Sequence, residues 1–236
     1  ECNLIVHSMD GKIQRVEASR MLNVSTLILK SNISDDLLLN FKFLYVLNLS
    51  YADIEELSFS IGNLVHLRYV DLSGNRFKVL NESICLLYNL ETLRLLECPS
   101  LKVLPMDISN LISLRHLHFY YDEEFQMPPK MGLLTSLRTL LFYNLGLEDG
   151  QGIKELGYLK NLRGKIVIRK LELVSSKEEA EFADLFGKIL VYELEYHWSD
   201  NRNGIGNDRI VLEGLQPHPE LKSLTIRNYM GYELPW

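Results

Sequence analysis

The sequence predicts an α/β solenoid: a curved parallel β-sheet on the inner side, with short helices or 3-10 turns on the outer side. Three observations carry this. Leucine fills 46 of the 236 positions against four alanines, a composition that disfavours stacked helical pairs, which need small residues at their crossings. A pattern L-x-x-L-x-L recurs at a nearly fixed interval, its first members standing at 44, 67, 90, 114 and 137. Between these short runs, apolar residues recur at three- and four-residue steps, as in Ile61, Leu64, Leu67 and again in Ile84, Leu87, Leu90. Self-similarity of this kind outranks any local reading.

The elements follow in order. Leu4 and Val6 form an early edge strand, and Val24, Leu27, Leu29 the next. Five registers of even spacing come after: Leu44, Leu47, Leu49; Leu67, Val70, Leu72; Leu90, Leu93, Leu95; Leu114, Leu117, Phe119; and Leu137, Leu140, Phe142. Period two turns these leucines to one face and the residues between them to the other. The interval of about 23 residues is that of the leucine-rich repeat, whose units bury their leucines only by stacking. Later registers stretch to roughly 25–30 residues. They are Leu162 with Ile166 and Ile168, one residue out of step, then Val191, Leu194, Tyr196 and Leu221, Leu224, Ile226.

A turn position follows each strand: Asn32, Ala52, Asn75, Cys98 and Asp122, then Leu145, Leu171, Ser199 and Tyr229. A buried Asn or Cys there can bond the neighbouring turn backbone. Residues 175–187 predict a helix capped by Ser175 or Ser176 and stopped by Gly187. Residues 199–209, polar and rich in glycine, predict a mobile loop. The whole reads as one leucine-rich-repeat domain over 1–236, with edge repeats in 1–40, regular repeats in 41–162 and longer, irregular ones in 163–236.

Composition narrows the function. The net charge of −6 argues against a general nucleic-acid binder. No stretch approaches the ~18 apolar residues of a membrane-spanning helix. Three widely spaced cysteines (Cys2, Cys85, Cys98) suit a reducing compartment. Cys98 reads as a buried turn residue and Cys85 as a convex-side one. The chain begins at Glu1 without a secretory leader, and ends without an evident cap, as expected of a fragment or a natural truncation. No acid/base or nucleophile set points to an enzyme. The sequons at Asn23, Asn32, Asn48 and Asn81 are discounted as chance in a chain this rich in Leu, Asn and Ser.

Residues 64–117, LVHLRYVDLSGNRFKVLNESICLLYNLETLRLLECPSLKVLPMDISNLISLRHL, resemble the repeat domain of plant intracellular immune receptors. These are the nucleotide-binding leucine-rich-repeat disease-resistance proteins of the coiled-coil class. Their form L-x-x-L-x-L-x-x-C-x-x-L-x-x-L-P-x-x-I-x-x-L-x-x-L is met in full by 90–114, with Cys98, Pro105 and Ile108 in place. The strings GIKELGYLKNLRGKIVIRKLE, ELEYHWSDN and VLEGLQPHPELKSLTIRNY are similar to the same family, so the resemblance covers nearly the whole chain. Ser58 and Asn81 replace the proline of the L-P step, which is expected to weaken those turns.

The resemblance implies a cytoplasmic, non-enzymatic recognition and autoinhibition module with protein partners: a pathogen effector, a guarded host protein, or the nucleotide-binding domain of its own receptor. It implies no cofactor. The chain has no G-x-x-x-x-G-K-[ST], because the Gly-Lys pairs at 11–12, 164–165 and 187–188 lack the earlier glycine. The alternative is an extracellular leucine-rich-repeat receptor or inhibitor that binds a secreted ligand. It calls for paired capping cysteines, and none are visible at the ends.

The expected partner-binding face is the concave one, carrying Tyr69, Asp71, Arg94, His116, His118, Tyr120, Leu141, Tyr143, Arg169, His197 and Arg227. Tyr and Arg are enriched at the anchors of interfaces. Arg94, His118 and Leu141 are expected in one row, and Leu96, Tyr120 and Tyr143 in the next. A second series, the residue after each unit's first leucine, is mostly basic: Arg68, Glu91, Arg115, Arg138, Arg163 and Lys222. It reads equally as a cationic row for an acidic partner and as a solvated edge with local pairs. His116 and His118, with the distant His197, lack a third ligand fixed by spacing, so no metal is expected.

Overall fold

The computed structural model describes residues 2–6, 24–30, 38–119, 122, 124–200, 202 and 206–235. The chain divides into two compact units, residues 1–125 and 126–236.

The first unit holds strands β1 (Cys2–Val6), β2 (Val24–Leu29), β3 (Val46–Asn48), β4 (Tyr69–Asp71), β5 (Thr92–Leu95) and β6 (His116–Phe119), ordered as in the sequence. All neighbours pair in parallel. The register puts Leu27, Leu47, Val70, Leu93 and Leu117 in one column, all buried. Leu49, Leu72 and Leu95 are buried one step further along their runs. Period two does this directly, since in-register neighbours on parallel strands share a face.

The return paths from β3 to β4, β4 to β5 and β5 to β6 each make a 3-10 turn: Phe59–Asn63, Glu82–Leu86 and Met106–Asn110. Ser58 and Asn81, expected to weaken their turns, instead cap them. The Ser58 hydroxyl oxygen accepts from Ser60 N at 3.0 Å, and the Asn81 amide oxygen from Ser83 N at 3.2 Å. Pro105 has no side chain to offer there and makes no such bond. Within these turns a column of small buried residues, Gly62, Cys85 and Ser109, lets successive turns approach. A Cβ on Gly62 would lie 2.9 Å from the Ser83 carbonyl oxygen. Asn75 closes the coil as its type foretold: its amide donates to Leu49 O at 2.9 Å and Leu72 O at 2.7 Å, and accepts from Ile54 N at 3.0 Å. Cys98 is buried beside the same Leu72 carbonyl, at 3.5 Å. Asn32 lies outside the described residues.

The second unit holds β7 (Thr139–Leu140), β8 (Phe142–Asn144), β9 (Gly164–Arg169), β10 (Val191–His197) and β11 (Ser223–Arg227), with β8 to β11 adjacent and parallel. Ile166, Leu194 and Leu224 share one register line; Tyr143, Ile168, Tyr196 and Ile226 share the next inward one. The strand run breaks at Leu141, between β7 and β8, and this resets the alternation. Tyr143 is therefore an inward residue, fully buried, its hydroxyl donating to Gly152 O at 3.3 Å. Tyr196, two strands on, does likewise to Leu215 O at 2.7 Å. The expectation that Tyr143 faces a partner is overturned by that break.

Three short helices cross this unit's return paths: α1 (Lys154–Tyr158), α2 (Lys177–Glu181) and α3 (Asp208–Gly214). Gly132 and Gly157 repeat the small-residue column, and a Cβ on Gly157 would stand 2.0 Å from Phe182 O. α2 is the helix expected over 175–187, but shorter. Ser176 caps it through Glu179 N at 3.1 Å, and Glu179 reaches back past the cap to accept from Ser175 N at 2.9 Å. Close packing of Phe182 O on Gly157 and the left-handed backbone of Asp184 (φ 48°) end it before Gly187. α3 was not foreseen. In the segment expected to be a mobile loop, Arg202 and Asp208 form a bidentate ion pair at 2.6 and 2.7 Å, and Asp208 also accepts from Met230 N at 2.9 Å. Residues 201 and 203–205 of that segment lie outside the described ones.

Candidate functional site

Opposite the leucine columns, the first unit's sheet presents two rows. One runs Thr26, Val46, Tyr69, Thr92, His116; the other Ile28, Asn48, Asp71, Arg94, His118. At their centre Asp71 is a buried acceptor. Its Oδ1 takes the Ser73 amide at 3.0 Å, and its Oδ2 takes the Tyr69 hydroxyl at 3.3 Å and the Arg94 Nε at 3.2 Å. Asp71 thus sits on the expected face but is not exposed to a partner, because three donors enclose it. What the face offers instead is the side chains that Asp71 organises. The two Nη groups of Arg94 make no hydrogen bond among the described residues, and its side chain stays 35% exposed.

The rings of His116 and His118 lie nearly parallel, 6.3 Å apart. Burial pushes the His118 imidazole below its ordinary pKa, and the neighbouring Arg94 and His116 add to this, while Asp71 pulls the other way. Near neutral pH the ring is accordingly an uncharged donor and acceptor. Burial first, and then Asp71, raise the Tyr69 phenol.

The second unit has its own outward rows. Phe142, Val167, Glu195 and Thr225 form one; Asn144, Arg169, His197 and Arg227 the next. Glu195 is the hub. It binds Lys165 through one oxygen, and through the other it meets His197 Nε2 at 3.1 Å and Arg227 Nε at 4.0 Å. The Lys165 ammonium, and then the His197 bond, hold this carboxyl below its usual range against burial. Arg169 stands in the expected row but is buried, its guanidinium 5.7 Å over the Phe142 ring. Burial lowers its pKa to about 10, opposed by Glu195 and assisted by Arg227. The reason for its burial is the break at Leu141, which moves Phe142 onto this face beside it.

The structure therefore gathers Tyr69, Asp71, Arg94, His116 and His118 in one cluster, and Arg169, His197 and Arg227 in another. Leu141 is 39% exposed, Tyr143 is removed to the core, and Tyr120 lies outside the described residues. Residues that sequence reasoning passed over are Lys165, Glu195, Phe142 and Asn144. The alternation E-L-E-Y-H over 193–197 already put Glu195 and His197 on one face. Phe142 and Asn144 had no such signal. Among the described residues there is no group of three or more His, Cys, Asp or Glu arranged to hold a metal ion, and no helix is long and apolar enough to cross a membrane.

Comparison with known proteins gives one family match and several relatives. The family described as "Leucine-rich repeat region" matches residues 24–235. RGA1 and RGA4 of Solanum bulbocastanum, both provisionally named disease resistance proteins, are 40% and 44% identical over 218 and 209 residues. These alignments cover 91% and 87% of this chain, but 22% and 21% of the relatives. Disease resistance protein RGA2 of the same plant is 40% identical over 195 residues, 81% of this chain and 20% of its own. The chain thus spans about a fifth of the length of these relatives. Among solved structures, the LRR protein LIC12759 of Leptospira interrogans aligns with TM-score 0.61 at 22% identity, over 89% of this chain and 51% of its own. The plant peptide hormone receptor RGFR1, solved in complex with RGF2, aligns with TM-score 0.53 at 24% identity, over 76% and 28%. Both likenesses are of fold alone.

Proposed function

The chain belongs to the leucine-rich-repeat family, and on that footing we propose that it is the non-enzymatic recognition and autoinhibition module of a plant intracellular immune receptor. In this reading it works in the cytoplasm. It senses a pathogen effector, directly or through a host protein, and in the resting receptor it holds the nucleotide-binding domain. Similarity to disease resistance proteins over most of its length supports the class.

The observation that carries the recognition reading is the cluster around Asp71. Three donors fix that carboxylate, and it fixes Arg94 in turn. An arginine held this way loses little further rotamer freedom on binding, and its Nη groups can meet a carboxylate or carbonyl of a partner. His116 and His118 extend the same surface with flat, amphipathic rings. The outward Leu141, His197 and Arg227, and Tyr120 beyond His118 in the chain, belong to the same proposal.

The test is the full-length receptor carrying Arg94→Ala with His118→Ala, assayed for effector-triggered cell death and for effector co-precipitation, with the melting temperature of the repeat domain as control. Loss of both responses in a repeat domain that still melts cooperatively, its melting temperature lowered no further than in Asp71→Ala, is the expected result. Cell death without effector would identify the face as the resting contact with the nucleotide-binding domain. Wild-type behaviour in every assay removes it as the site.

A further inference from the structure

The N-terminal edges of the strands differ between the two units. In the first, Tyr45, Arg68, Glu91 and Arg115 stand side by side. They are joined through their backbones by Arg68 N to Tyr45 O at 2.9 Å, Glu91 N to Arg68 O at 2.8 Å and Arg115 N to Glu91 O at 2.8 Å. Charge alternates along this edge. Glu91 pairs with Arg68 at 3.4 Å and with Arg115 at 2.9 Å, so each guanidinium has an internal counter-ion.

In the second unit Arg138 and Arg163 take the equivalent positions, joined by Arg163 N to Arg138 O at 3.0 Å. No carboxylate stands between them. Neither side chain makes an ion pair or hydrogen bond among the described residues; Arg163 is exposed and Arg138 half-buried. Two guanidinium side chains thus start one strand step, ~4.8 Å, apart, an arrangement that costs stability in an isolated sheet. Beside Arg163, Gly164 has φ +86°, and a Cβ there would touch nothing within 4 Å. Gly164 N donates to Leu190 O at 3.0 Å, and Leu190, just before β10, and Tyr192, within it, are both exposed. Lys222 continues the edge through its amide on Tyr192 O at 2.9 Å, its ammonium 5.8 Å over the Tyr192 ring and without a carboxylate partner among the described residues.

We propose that the edge formed by Arg138 and Arg163, with Leu190 and Tyr192 beside it, is a docking site for an acidic, partly apolar segment of a partner protein. The first unit supplies the argument, for there a carboxylate bridges the two arginines from within the chain. In the second unit that carboxylate is missing, and a Glu or Asp of the partner supplies it. A guanidinium pair takes such a group through charge-assisted forked bonds. The open space at Gly164 admits the partner's backbone, and Leu190 with the Tyr192 ring takes apolar neighbours of its acid. This site is independent of the cluster around Asp71 and stands or falls by different variants.

The test uses the whole 236-residue chain and a fluorescein-labelled peptide alternating glutamate with leucine, read by anisotropy. Its glutamine counterpart and phosphatidylserine vesicles serve as comparators. Binding of the glutamate peptide should weaken with salt. It should fall about tenfold or more in Arg138→Gln with Arg163→Gln, and stay within about twofold in Arg68→Gln with Arg115→Gln. Arg138→Glu with Arg163→Glu, at a wild-type melting temperature, should transfer the preference to a lysine counterpart of the peptide, while Arg68→Glu with Arg115→Glu, of equal net charge, should not. Equal binding of the glutamine peptide, an unchanged affinity in the Arg138/Arg163 variant, or capture by the vesicles without capture by the peptide would each overturn the proposal.

Discussion

Lys188, almost sealed from solvent, donates its ammonium to the carbonyl oxygen of Leu156 at 2.8 Å, across 32 residues of sequence. A second bond reaches Leu159 O at 3.1 Å. Both carbonyls lie at the C-terminal end of α1, where a cation is favoured, and the ammonium adds a second donor to Leu156 O, which already accepts from Leu159 N at 3.1 Å. Burial nevertheless lowers the Lys188 pKa to about 8, helped by the Lys160 cation and opposed by Asp184.

A pH dependence follows from that shift. The unfolded chain keeps this proton up to about pH 10.4, the ordinary lysine value. The folded chain releases it near pH 8. Between the two values the unfolded state binds more protons, so this group makes stability rise with pH. Urea unfolding of the wild type and of Lys188→Met, compared from pH 7.5 to 10, should show the wild type gaining on the variant. Parallel curves would refute the assignment.

Leu93 sits at the middle of the first unit's inward column with no exposed surface. Leu93→Ala should cost about 2–5 kcal/mol, the span for removing a large aliphatic group from a core that cannot collapse around the gap. An unchanged denaturation midpoint would contradict its placement.

Tyr143 gives a sharper discrimination. Because it faces inward, Tyr143→Ala should cost about 3–5 kcal/mol of stability, as for other buried aromatic groups. Tyr143→Phe removes only the bond to Gly152 O and should cost about 1 kcal/mol. If Tyr143→Ala folded normally and lost only partner binding, the inward register of β8 would be wrong.

Asp71→Ala leaves the Ser73 amide and the Arg94 Nε without their acceptor, so a loss of about 1–3 kcal/mol is expected. Asp71→Asn keeps an acceptor oxygen but not the charge, and should fall between that variant and the wild type. Thermal melts of both at the same salt give the order. Reversal of the order would show that Arg94 does not depend on the charge.

The repeat was legible because it is written twice, once in the two-residue alternation of the strands and once in the 23-residue interval. Leu27, Leu47, Val70, Leu93 and Leu117 align on both. The candidate face was legible only where that alternation holds. Tyr69, Arg94, His116 and His118 follow from it. Tyr143 does not, since a break of one residue at Leu141 inverts the side chains of β8 and L-x-x-L-x-F fits the sequence either way. Burial within the outward face was equally hidden. Asp71 and Arg169 have the right parity, but their exposure depends on donors and rings contributed by neighbouring residues. α3 escaped because its apolar residues, Ile210, Val211 and Leu212, follow a glycine-rich polar run that reads as a loop.

The break at Leu141 also governs how this chain can be recombined with its relatives. A chimera spliced by leucine pattern alone between 137 and 145 with a parent whose strand runs unbroken there carries a frame error of one residue into β8. It would put Phe142 in the place of Tyr143 within the core, and bring an ill-matched surface outward, while every consensus leucine still looked correctly aligned. A crossover set before Leu137 or after Leu145 keeps the break intact within one parent, and those are the seams at which segments can be exchanged without scrambling the face they display.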